Sequence, residues 1–271
     1  MISAIIVLVL ILIFVKPGER MQPGVVPKID NRDVALPEKR TQETPVQVQK
    51  ENKVKVAIVI DDMGFDGKIF RKFVDLGIPI TFSILPGERF SGYIAKKAKL
   101  LNYEVMLHLP MEPRNPLKNP GKGEISIRMS KEEMLRQLSK DIKAVPYIVG
   151  INNHMGSLLT ENRIAMNALL EEIHKKGLFF LDSKTSPNSV AYKAAKSIGV
   201  PSGRRDVFLD NNPDIRYIKG QLDKVIKIAK QNGSATAIGH PKPETVAALR
   251  EKIEDFKKEG IEFVPVSAVL E

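Results

Sequence analysis

KVKVAIVIDDMG, Lys53 to Gly64, is the stretch that decides how this chain folds. Val54 to Ile60 is apolar apart from Lys55, rich in β-branched residues, and ends on two carboxylates and a glycine. A strand that is apolar on both faces belongs in a parallel sheet covered by helices. Its polar end is then the C-terminal end of a strand, where ligand sites lie in α/β folds.

Downstream, short apolar runs keep alternating with amphipathic stretches. Strands are predicted at 78–85, 104–109, 147–151, 178–181, 235–238 and 261–264, with a short one at 206–209. Helices are predicted at 67–76, 88–101, 130–144, 160–177, 189–198, 213–233 and 243–260. Ser130 with Glu133 forms a capping box, Thr160 reads as an N-cap, and Pro213 and Pro243 sit at first helical positions. Gly77, Gly177, Gly233 and Gly260 close helices. Seven or eight βα units follow one another. An open doubly wound sheet and a closed or distorted barrel both fit, and the unit count favours the barrel. The expected fold class is α/β, a distorted (β/α) barrel of about seven units with mostly parallel strands.

Upstream, the pattern breaks twice. Ile2 to Val15 is almost unbroken Ile, Val, Leu and Phe, with no charge before Lys16. It is short for a membrane span and suits a signal-peptide core or N-terminal anchor, so 1–16 is expected to export or tether the chain. From 17 to 52, prolines are scattered among Lys, Glu, Gln and Thr without any period, as in a disordered linker. The working domain is 53–271, on an exported, periplasmic or extracytoplasmic protein.

The 271 residues contain no cysteine, which excludes disulfides, thiolate metal sites and a cysteine nucleophile. The formal net charge is +10. The basic residues are dispersed in pairs such as Lys96–Lys97 and Lys257–Lys258, there is no Trp, and no nucleic-acid motif is present. No nucleic-acid partner is expected. The charge reads as a solvated surface, or, if it is used, as suited to an anionic cell-wall polymer.

The chemistry-bearing residues fall at predicted strand ends: Asp61 and Asp62 after the first, His108 after the third, Asn152, Asn153 and His154 after the fourth, Asp182 after the fifth and His240 before the last helix. Three of the four histidines are in this set, while His174 lies within a helix. Imidazoles and carboxylates converging on one face suit zinc or a similar divalent ion with a position open for water. Adjacent side chains point oppositely along an extended strand. Where the chain turns, both aspartates can reach the site, one as ligand and one free as a base. The alternative for the pair is a cap at the strand–helix turn. Arg204 and Arg205 can pair with a carboxylate or an anionic substrate. No G-x-S-x-G elbow marks a serine nucleophile.

VAIVIDDMG (56–64), ILPG (84–87), HLPMEP (108–113), NNHMGS (152–157), FLDSKTS (180–186) and IGHP (238–241), in that order, resemble the divergent polysaccharide deacetylase family. The resemblance spans 53 to the C-terminus. It implies a distorted barrel, a divalent metal held by one Asp and two His, and removal of acetyl groups from a glycan such as peptidoglycan. It also implies roles: Asp61 as base, Asp62 as ligand, His240 as general acid. Here the sequence departs from the H-x3-5-H pattern of well-characterised deacetylases, because Glu112 follows His108 by four residues. The second imidazole is then His154, on another strand, or Glu112 ligates instead. Pro110 separates His108 from Glu112 and favours His154. Asn153, Asp182, Arg205 and Glu112 are expected around the site or on the substrate. Two other readings stand beside the hydrolase: a glycan-binding or envelope-scaffold module that keeps the metal pocket, and, ranked last for want of a phosphate-binding glycine loop, a hydrolase of phosphoesters.

Overall fold

The computed structural model describes residues 53–271. The segments expected at 1–16 and 17–52 lie outside the described residues. In chain order the elements are β1 (Lys55–Met63), α1 (Gly67–Val74), β2 (Thr81–Ile84), α2 (Ser91–Leu100), β3 (Glu104–Met111), α3 (Lys131–Ala144), β4 (Gly150–Met155), α4 (Arg163–Lys175), β5 (Phe179–Asp182), α5 (Ala191–Ile198), β6 (Ser202–Arg204), β7 (Val207–Phe208), α6 (Ile215–Asn232), β8 (Ser234–Gly239), α7 (Pro243–Lys258) and β9 (Glu262–Val264).

Every ladder is parallel, in the order β6-β5-β4-β3-β2-β1-β8-β7, so the expected α/β sheet with helical cover is present. The sheet curls. Its two end strands, β6 and β7, are consecutive pieces of one run, and Arg205–Asp206 carries the chain across the gap. Arg205 N–H donates to Asp182 O on β5 (3.0 Å), and Asp206 N–H donates to Thr236 O on β8 (2.9 Å). The first half of β1 pairs with β8 on one edge and with β9 on the other.

Alternation along the strands separates two cores. Val56, Ile58 and Ile60 face the helices and join the large core that includes Phe73, Phe82, Phe180 and Phe256. Ala57 and Val59 face the interior of the curl, where they meet Met106, Phe179, Leu181 and Ile238. Val266, from a short 3-10 helix after β9, packs into this second cluster, and its N–H donates to Thr81 Oγ1 (3.0 Å). The curl is therefore floored with hydrocarbon. Gly150 makes room for that floor: a Cβ there would lie 2.2 Å from the Phe179 ring. Gly150→Ala is expected to cost about 1–3 kcal/mol in urea unfolding, with Phe179→Leu recovering part of it. An unchanged midpoint would show that the ring is free to move aside.

Several elements differ from the sequence expectation. The strand expected at 147–151 runs from Gly150 to Met155, because Val145–Pro146 ends the preceding helix and Tyr147 is left-handed (φ 67°). Thr160 does not cap α4. Its hydroxyl donates to Gly156 O within a 3-10 turn, and Asn162 is the cap, accepting from Ala165 N–H. Pro213 lies just outside α6, whose cap is Asp214. The three-residue β6 has too short an apolar pattern to be predicted. The capping box of Ser130 and Glu133 forms as expected.

Candidate metal centre and catalytic residues

The polar residues occupy the other end of the same inner face. Asp61 continues the series Ala57, Val59 and is buried. The β1–β2 register slips between Ile60 and Met63, and Asp62 takes a left-handed backbone (φ 53°). This irregularity re-aims the chain, so the two neighbouring carboxylates reach one site, as the turn at the strand end allowed.

Parallel register sets the histidines. His108 on β3 pairs with Asn152 on β4, and Pro110 pairs with His154. Because β4 extends to Met155, Asn152 and His154 are two residues apart on the same face, while Asn153 points away. Asn153 Nδ2 donates to Met155 O, and its Oδ1 accepts from Ser183 N–H.

Asn152 settles the state of His108. Its Nδ2 donates to Asp61 Oδ1 (2.8 Å), so its Oδ1 must face the imidazole and accept from His108 Nδ1 (2.8 Å). Ser83 Oγ donates to the same Oδ1 (2.5 Å). Once the imidazole is neutral, His108 Nε2 therefore presents its lone pair to the pocket. It lies 3.1 Å from Asp62 Oδ1 and 3.1 Å from His154 Nδ1, and His154 Nδ1 is 2.9 Å from Asp62 Oδ1. Asp62 Oδ1 is buried and accepts no hydrogen bond. With lone pairs on both imidazole nitrogens, three acceptor atoms form a triangle with edges near 3 Å, whose repulsion only a cation or protons between them relieve. A tetrahedral ion with bonds of about 2.0–2.2 Å spaces its ligands by roughly 3.4 Å, so the donor set fits such an ion.

The electrostatics agree with this picture. Burial alone would raise Asp62, but the imidazoles of His108 and His154 hold it well below the usual carboxylate range. Burial opposes a charge on His108, yet Asp61 and Asp62 together push it up to about 9. Burial raises Asp61 despite the opposing charges of His108 and His240.

His240 stands on the far side of Asp62, with Nε2 3.8 Å from Asp62 Oδ2. Its Nδ1 donates to Asp210 Oδ1 (2.8 Å), and its backbone N–H donates to Asp210 Oδ2 (2.7 Å), which also accepts from Thr245 Oγ1. Burial would lower His240, but Asp210, Asp61 and Asp62 raise it. Asp210 is fully buried. It lies at the C-terminal end of β7, and the strand-end rule that singled out the other residues points to it as well. Sequence reasoning predicted the short strand at 206–209 but passed over the aspartate that follows it, which lies outside the motifs quoted above.

The remaining candidates shape the rim. Asp182 accepts from Lys184 N–H and Ser189 Oγ and organises the turn after β5. Arg205 donates to Ser183 O and Lys184 O and packs over Phe208, 4.8 Å from its centroid. Phe208 in turn lies against His240. Glu112 turns away from the triangle to accept from Ser126 Oγ (2.6 Å) and Ile127 N–H (2.8 Å), anchoring the long loop after β3. Among the described residues, Asp62, His108 and His154 are the group whose ligand atoms converge.

A curled parallel sheet with helical cover and this polar mouth defines the class, an α/β half-barrel with its polar residues at the C-terminal strand ends. Within it, the chain belongs to the divergent polysaccharide deacetylase family, whose sequence profile matches residues 58–270. It is 37% identical over 218 residues to the uncharacterised protein YibQ of Escherichia coli K12, covering 80% of this chain and 67% of that one. The crystal structure of the uncharacterised protein ATU2773 from Agrobacterium tumefaciens C58 matches with a TM-score of 0.76 at 27% identity, covering 80% of this chain and 89% of that one. The fold is shared with BA3943, a CE4 family pseudoenzyme from Bacillus anthracis (TM-score 0.53, 16% identity, 81% and 66% covered).

Proposed function

We propose that this protein is a metal-dependent hydrolase that removes acetyl groups from a cell-envelope polysaccharide such as peptidoglycan. The carrying observation is the triangle of Asp62 Oδ1, His108 Nε2 and His154 Nδ1, with the His108 tautomer fixed by Asn152. Two imidazoles and one carboxylate suit zinc. When bound, such an ion polarises a carbonyl and lowers the pKa of water. Asp61, beside the triangle and held by Asn152, is the base that takes the proton from the attacking water. His240, oriented by Asp210, gives a proton to the departing amine or alcohol. The apolar run before Lys16 supports an activity outside the cytoplasm. Among the described residues, no helix is long and apolar enough to cross a membrane.

The test joins elemental analysis of the purified protein to acetate release from acetylated chitooligosaccharides or peptidoglycan, with and without chelator. About one equivalent of zinc and chelator-sensitive acetate are expected. Metal without acetate would favour a scaffold or glycan-binding module instead. That second reading draws on the pseudoenzyme that shares the fold, a mutant of which has restored activity.

Proton competition supplies a further check. With His108 pushed up to about 9, the ion-free imidazole is protonated at neutral pH. An incoming cation must displace that proton. Uptake at pH 7 is expected to release it, and affinity is expected to climb with pH and level off above about 9. Calorimetry in two buffers of different ionisation enthalpy measures the release. An uptake enthalpy independent of buffer would remove His108 from the ligand set.

A further inference from the structure

Beside the triangle, between the β1–α1 turn and the start of α7, opens a cavity of about 430 Å³. Asp62 forms one wall and Pro241 and Pro243 another, and the outer wall carries Phe65, Lys68 and Lys72. The volume is that of an ordinary ligand site. Phe65, 59% exposed, stands at the tip of the turn with no packing role to explain it. Lys68 and Lys72 are one helical turn apart on α1, both exposed, and neither pairs with a carboxylate among the described residues. Asp66, the nearest acid on this helix, is occupied as its N-cap, accepting from Lys68 N–H. A second groove over α1 shares Asp66, Lys68 and Lys72 with the first and continues past Arg71 and Asp75 to Phe90 and Tyr93. The surface leading away from the site thus carries Lys68, Arg71 and Lys72 beside Phe65, Phe90 and Tyr93, with Asp66 and Asp75 as the acids along it.

From this continuity we infer that Lys68 and Lys72 form a subsite for the acidic groups of an anionic glycan strand, with Phe65 as a platform for a sugar face. The inference rests on the proposed function and narrows its substrate class from acetylated glycans in general to acidic ones. Sugar rings present C–H faces that pack on aromatic rings. Lysines, as flexible point charges, hold carboxylates without demanding one geometry. A neutral strand would leave both ammonium groups unpaired.

The test compares one polymer in two charge states: peptide-free peptidoglycan strands as free acid and as carboxamide. Binding to the full-length chain is measured by calorimetry. The wild-type chain is expected to bind the free acid about five- to tenfold more tightly at low salt, with the difference fading as salt is raised. Lys68→Gln/Lys72→Gln is expected to bind both forms alike, while Lys68→Arg/Lys72→Arg keeps the preference. A wild-type chain indifferent to strand charge, or a Gln variant that retains the preference, overturns the inference. So does a Gln variant that loses adhesion to phosphatidylglycerol vesicles with its strand preference intact, since the cations would then serve a lipid surface. Binding is read without turnover. A strand held by charge but never deacetylated overturns the proposed function and leaves the subsite standing, whereas acetate release indifferent to strand charge does the reverse.

Discussion

Asp61→Asn is expected to retain the divalent ion at wild-type stoichiometry while acetate release falls by about 10²–10⁴-fold, the range a positioned general base supplies. The substitution keeps size and shape. An amide oxygen at the Oδ1 position still accepts from Asn152 Nδ2, so the hydrogen bonds that fix Asn152, and through it the His108 tautomer, survive. What is lost is the buried carboxylate beside the triangle, and with it the acceptor for the water's proton. The separation of the two measurements is what matters. Loss of metal along with turnover would make Asp61 a ligand, and turnover near the wild-type rate would end its assignment as base.

Asp62→Ala is expected to abolish metal retention, and turnover with it. It removes one corner of the triangle and the only anionic charge in it, leaving two imidazoles whose facing nitrogens are 3.1 Å apart. Two neutral ligands on adjacent strands hold a divalent ion far more weakly than three with a carboxylate among them. The fold should persist, because Asp62 carries no hydrogen bond at its buried oxygen, and an alanine in its left-handed conformation costs only about 1 kcal/mol. Circular dichroism matching the wild-type protein, with metal below about one tenth of an equivalent, is the expected pair of results. Retention of a full equivalent would mean that the ion sits elsewhere.

Much of this architecture was legible in the chain because its strands are apolar on both faces and its helices are punctuated by glycine. Those two signals yield a parallel sheet with helical cover and place Asp61, Asp62, His108, His154 and His240 at one end of it. Register was less accessible. The sequence suggested that Asn152, Asn153 and His154 follow a strand together. They are in fact its last residues, so alternation sends Asn153 away from the pocket and brings Asn152 into the centre of it. Nothing in composition tells where a strand stops when its polar end is buried by the site itself. Asp210 shows the other limit. It follows a short strand that the sequence does show, but its partnership with His240 across 30 positions exists only in three dimensions.

The hydrocarbon floor beneath Asp61 has a consequence for the order of events. With Val59, Met106, Leu181 and Val266 sealing one end, the curl is a cup and not a tube. Under the proposed function, ion, water, substrate and acetate would share the opposite end, the rim occupied by Phe208, His240 and the turn bearing Phe65. A polymer lying across that rim shuts in whatever lies below it. Loading with metal must then precede docking of the strand, and a chelator that empties the resting protein readily should act slowly once a long strand is in place.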